Sequence, residues 1–197
     1  MALKYPVKIN QVNDLSSARY AAGMGAKAIG FVVSNTNVDS SINQIKAIIQ
    51  WISGVDFVLE FETNCNWETI YKAVNELNCK TLEMDVADYF KISLNHQKYL
   101  DELDVLARIN FIELSNLPPH SAIYIHYKNI EPQQAMLVAN EKSCFSFNPH
   151  VSIDAIISFA ENYPFKYLCF NGGIEQSPGI TDFGNLPEFL EAIEIVE

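Results

Sequence analysis

Two groups of residues in this chain have the types and spacing for chemistry. The first is acidic: Glu60 or Glu62, Glu83, Asp85 and Glu113, joined by His126. Each stands near the C-terminal end of a predicted strand. In a closed barrel, side chains of one parity face inward, so several of these could converge at one mouth. Converging carboxylates and an imidazole could hold a divalent metal, with Glu83, Asp85 and His126 as candidate ligands, or could form a His–carboxylate acid–base pair. The plain alternative is a solvated acidic rim with some members pointing outward. The second group lies in "YLCFNGGIEQSPGITDF", Tyr167 to Phe183, where a short apolar strand runs into Asn171-Gly172-Gly173. Glycines let backbone N–H groups approach an anion closely, so this turn is either a phosphate cradle or an ordinary Gly-Gly turn. Asn148, after the preceding strand, is a further candidate ligand. Its neighbour Pro149 has no N–H to offer, and no lysine or arginine is expected nearby.

These residues need a scaffold, and strand-like and helix-like segments alternate from end to end. Predicted strands are Val7–Asn10, Ala28–Val33, Phe57–Glu62, Thr81–Asp85, Phe111–Leu114, Ala122–Tyr127, Ser143–Phe147 and Tyr167–Phe170. Asp14, Ser40 or Ser41, Asn66 and Ser152 are predicted helix N-caps, and Pro132 and Pro187 suit first turns. Gly25 and Gly54 close helices. A helix is expected near Tyr99–Leu106, and the link Leu114–Ser121, with two prolines, has no room for another. Eight such units favour a compact (β/α)8 barrel in the α/β class, one domain over residues 1–197, with one or two helices truncated. "GMGAKA", Gly23 to Ala28, mimics a dinucleotide fingerprint but follows a helix and precedes a strand, so it reads as a helix C-cap.

The formal charge of −11 over 197 residues disfavours a nucleic-acid partner. No run of about 18 apolar residues suggests a membrane span. The opening "MALKYPVKIN" is too short in its apolar part for a secretory signal. Cys65, Cys79, Cys144 and Cys169 form no CxxC pair and read as reduced apolar fillers in a cytoplasmic protein. The expected partner is a small anionic or phosphorylated ligand, with the chain a monomer or homodimer and no cofactor.

Both ends of the chain resemble one family. "VKINQVNDLSSARYAAGMGAKAIGFVV" resembles the opening of phosphoribosylanthranilate isomerase: K-[IV]-C-G, a helix, then an A-x-G-F-[IV]-F strand. "LCFNGGIEQSPGITDFGNLPEFLEAI" resembles that family's D-[VL]-S-S-G-[VI]-E-x-x-P-G-x-K-D and last helix. The resemblance covers roughly the first 33 and last 35 residues, and between them rests on the order of elements. It implies the same barrel, a phosphorylated sugar-like ligand at the C-terminal strand ends, and a cofactor-free Amadori rearrangement in tryptophan biosynthesis. It also implies that Asn10 stands at the position of the cysteine base and His126 at that of the aspartate acid. Cys169 stands for the strand-eight aspartate, Asn148-Pro149-His150 for a glycine pair, and "NTNVDSS" for a segment bearing an arginine. Gly173 and Glu175 match the family. An amide cannot accept the proton that this rearrangement moves, whereas a histidine can donate one near neutral pH. Three readings follow: a diverged barrel that lost its base and keeps weak phosphate or phosphosugar binding; a working isomerase with substituted residues; or a different, metal-assisted reaction at the mouth. The first is favoured because base, arginine and glycine pair are altered together.

Overall fold

Eight strands pair in parallel, each with its successor, and the eighth returns to the first to close a barrel. The computed structural model describes residues 2–110, 123–177 and 180–195, the side chains of 174–181 aside. In chain order the elements are β1 (Val7–Val12), α1 (Leu15–Gly23), β2 (Ala28–Val33), α2 (Val38–Ile49), β3 (Asp56–Phe61) and α3 (Trp67–Leu77). They continue with β4 (Thr81–Asp85), α4 (Val86–Leu100), β5 (Asp104–Asn110), β6 (Tyr124–Ile130), α5 (Pro132–Val138), β7 (Ser143–Phe147), α6 (Ile153–Asn162) and β8 (Tyr167–Asn171). A hairpin of β9 (Ile174–Ser177) and β10 (Ile180–Asp182) then leads to α7 (Leu186–Ala192).

Local chemistry sets most of the boundaries. Asp14, Asn66 and Ser152 accept from the backbone N–H three residues on, at the starts of α1, α3 and α6. Pro132 opens α5 beside a reciprocal Glu131–Gln134 capping box. Gly25 and Gly54 adopt φ of 81° and 80°, the left-handed region where glycine is least costly. The segment Gly23–Ala28 therefore ends a helix and enters a strand. α2 starts at Val38 with Asn37 at its N-cap, slightly ahead of the predicted serines.

One predicted helix is replaced by a strand. The fifth strand is Asp104–Asn110, where the C-terminal half of a helix over Tyr99–Leu106 was expected; α4 instead ends at Leu100. Val105, Leu106, Ala107 and Ile109 are buried on both faces of the sheet, and such strands carry no polar–apolar alternation to announce them. Residues 111–122, including the strand expected at Phe111–Leu114 and the proline-containing link, lie outside the described residues. So does the Pro178-Gly179 turn.

The core has two parts. Val7 and Ile9 of β1 and Ile29, Phe31 and Val33 of β2, with their counterparts in β3 to β8, face the helices and form a large apolar shell with them. Inside the barrel, Ala28, Val58, Leu106, Cys144, Tyr167 and Cys169 make a separate apolar floor. Two residues further along the same inward face the character changes: Gly30, Glu60, Arg108 and Ser146 follow Ala28, Val58, Leu106 and Cys144.

Candidate active site

The polar layer above that floor is built around Lys8, which is fully buried. Its ammonium pairs with Glu60, donates to Glu83 Oε2 at 2.9 Å and donates to Asn10 Oδ1 at 2.5 Å. Glu60 and Glu83 are direct register partners on β3 and β4, so one cation serves both. A buried carboxylate is costly without a partner, which is why this arrangement needs Lys8. Glu60 reaches Lys8 because β2, which runs between them, carries only Gly30 at that level.

His126 extends the network. Its Nδ1 lies 2.9 Å from Glu83 Oε1, and its Nε2 lies 2.8 Å from Ser146 Oγ. Ser146 Oγ in turn donates to the Cys169 carbonyl at 3.3 Å. Burial would lower the His126 pKa, but Cys169 and the Glu83 carboxylate outweigh it and push the imidazole up to about 9. Burial also penalises the ionised Glu83, yet Lys8 and His126 hold its carboxyl below the usual range. Lys8 is held above its ordinary value by Glu60 and Glu83 in spite of burial. A raised pKa favours the imidazolium, which would donate to both Glu83 and Ser146. Burial raises the Cys169 thiol well above its usual range, which removes it as a base.

Nearer the mouth, Arg108 donates to Asp85 Oδ1 at 2.9 Å and to the Phe61 carbonyl. Of the residues expected to converge, Glu60, Glu83 and His126 do so. Asp85 is turned to Arg108 instead, and Glu62 is exposed, accepting from the Asn35 N–H at 2.8 Å. Glu113 lies outside the described residues. Among the described residues no three His, Cys, Asp or Glu side chains are placed to hold a metal ion. The space between Glu60 and Glu83 is taken by an ammonium.

Among the described residues, two cavities open at the C-terminal ends of the strands. One, of about 410 Å3, lies between β6, β7, β8 and the start of α7, and is lined in part by Lys128, Ser146, Asn148 and Asn171. The other, of about 280 Å3, lies over β3 to β5 and is lined in part by Glu60, Asp85, Arg108 and Lys128. Lys128 borders both, half-buried, and its ammonium has no hydrogen-bond or ion-pair partner among the described residues. A cation does therefore stand beside Asn148 and Asn171, contrary to expectation.

Solved structures of phosphoribosylanthranilate isomerases match this chain over nearly its whole length. One in complex with reduced 1-(O-carboxyphenylamino)-1-deoxyribulose 5-phosphate gives a TM-score of 0.68 at 16% identity, over 95% of this chain and 97% of that one. The enzymes from Thermotoga maritima and Pyrococcus furiosus give 0.62 at 16% and 0.63 at 14%, each over the same shares of both chains. The fold is that of phosphoribosylanthranilate isomerase. No protein-family model matches the sequence, and no curated protein matches it.

The isomerase pattern K-[IV]-C-G falls on Lys8–Gln11 at the end of β1. Gln11 adopts φ 56°, the left-handed conformation that favours glycine, at the position where that pattern has glycine. Its N–H donates to Glu60 Oε2 at 3.0 Å, which helps hold the strained residue. Asn10, which the sequence resemblance matches to the isomerase cysteine, is buried and accepts from Lys8. Gly172 permits a close approach, but to β1: its N–H donates to the Asn10 carbonyl at 2.6 Å, and a Cβ there would stand 2.9 Å from the same oxygen. Gly173 follows, half-buried. Asn148 donates its backbone N–H to the Ile130 carbonyl and its side-chain amide to Glu131. Lys8, Arg108, Ser146 and Lys128 were not among the residues singled out from the sequence. The available signal was their shared inward parity with the acidic residues.

Proposed function

We propose that this protein binds a small anionic ligand, phosphate esters included, at the barrel mouth and does not carry out the Amadori rearrangement of the isomerases whose fold it has. The observation that carries this reading is the Asn10–Lys8 pair. The side chain at the end of β1 is a non-titrating amide, and its oxygen accepts from a buried ammonium at 2.5 Å. An amide fixed in this way takes no proton from carbon. Anion binding is supported by Lys128, which offers an unpaired charge beside both cavities in a chain of net charge −11.

The Ser146–His126–Glu83 chain favours a second reading, in which the mouth performs acid chemistry of another kind. An imidazolium donating to a hydroxyl that lines the cavity could pass a proton to a bound anion through Ser146.

The test of binding is a titration with inorganic phosphate and ribose 5-phosphate followed by amide NMR. Shifts centred on Lys128, Asn148 and Asn171, lost in Lys128→Met, are the expected result. An undisturbed mouth at tens of millimolar ligand, roughly the weakest affinity of interest, contradicts it.

A further inference from the structure

We infer that the ligand of the larger cavity is amphipathic: an anionic head at Lys128 and an apolar, ring-sized body, in place of a sugar. This rests on the anion-binding reading above and specifies what is attached to the anion. The cavity of about 410 Å3 falls within the range of about 300–1,000 Å3 typical of small-molecule sites. Its walls include Phe147, Ile153, Ile156, Phe170, Leu186 and Phe189. Ile156, Leu186 and Phe189 are buried and the other three are half-buried, so this is a formed surface with its side chains packed from behind.

The polar groups bordering the cavity point to the same ligand. Asn148 uses its N–H on Ile130 and its amide on Glu131, Pro149 has no N–H, and Ser146 is held by His126 and the Cys169 carbonyl. Asn129, Asn171 and Asn185 border the cavity as exposed residues. A sugar seated against the apolar walls would leave the hydroxyls that face them without partners, and each buried unsatisfied hydroxyl is unfavourable. An apolar ring loses nothing there and gains from leaving water. Lys128 supplies the charge at the border of the cavity, where one ammonium suits one anionic group.

Isothermal calorimetry on the full chain with phenyl phosphate, ribose 5-phosphate and inorganic phosphate tests this. Phenyl phosphate is expected to bind about 10-fold or more tighter than ribose 5-phosphate. Lys128→Met weakens all three. Ile153→Asn, a change at a half-buried wall position at the start of α6, weakens phenyl phosphate alone. Ribose 5-phosphate binding as tightly as phenyl phosphate overturns the apolar-body inference and leaves anion binding standing. Failure of all three probes to bind overturns anion binding itself. The comparison of probes on the unaltered protein does not depend on either variant folding.

Discussion

The carboxylate of Glu60 occupies the space that a side chain on Gly30 would fill: a Cβ there would stand 1.8 Å from Oε1. That gap in β2 lets a carboxylate from β3 meet the Lys8 ammonium from β1 across the intervening strand. The inside of the barrel is thereby closed by charge where an apolar layer would otherwise continue.

Gly30→Ala is expected to displace Glu60 and break its pair with Lys8. The combined overpacking and loss of the pair should cost about 2–4 kcal/mol, measured by urea unfolding. A change below about 0.5 kcal/mol, the scale of an ordinary surface substitution, would mean that Glu60 swings aside at no cost and does not hold Lys8.

Lys8→Met leaves Glu60 and Glu83 facing each other without their shared cation. The expected loss is about 3–5 kcal/mol. Adding Glu60→Gln removes one of the stranded charges, so the double variant should be more stable than the two single losses predict by about 0.5–3 kcal/mol. Simple additivity in a double-mutant cycle would show that the two groups do not interact.

The His126 pKa, raised to about 9 from an ordinary 6.5, makes stability depend on pH in a defined direction. The folded state binds this proton more tightly than the unfolded chain. Its contribution is therefore complete below about pH 6.5 and is lost as pH rises through about 9. The stability gap between the unaltered protein and His126→Gln should narrow across that window. An NMR titration placing His126 near 6.5 would contradict the imidazolium assignment, and with it proton delivery through Ser146.

Much of this was legible in the sequence because local chemistry carries it. The strands at 28–33, 81–85 and 143–147 fall where apolar runs predict, and Asp14, Asn66 and Ser152 cap as their types require. β5 was not legible: Tyr99, Leu103 and Leu106 imitate helical spacing, while a three-residue turn separates α4 from a strand buried on both faces. The inward carboxylates could be suspected from strand-end positions, but strand parity alone did not separate Glu60 from Glu62. Lys8 matches the lysine of K-[IV]-C-G, but nothing local marks it as the centre of an ion-pair network. Its partners stand 52 and 75 residues away, and only closure of the barrel brings them to it. The clue lay in balance: two buried carboxylates on adjacent strands require a cation from an inward position. Lys128 was hidden for the same reason, since its importance comes from the cavities on either side of it.

Replacing Asn10 by cysteine tests the proposal that this position no longer supplies a base. Asn10→Cys should restore little or no isomerisation, because the new side chain would sit beside a Lys8 ammonium already held by two carboxylates, and no arginine occurs in the 35–41 segment. Losing one general base is worth about 10²–10⁴ in rate, so recovery on that scale would show that the rest of the machinery is intact.

The most direct test is the reaction itself: conversion of phosphoribosylanthranilate at neutral pH, with the purified protein in excess over substrate so that even slow turnover is seen. The expected result is no conversion above the uncatalysed rate. Conversion that proceeds with the unaltered protein and disappears in Asn10→Ala would contradict the account. It would make this barrel a working isomerase with an unfamiliar set of residues.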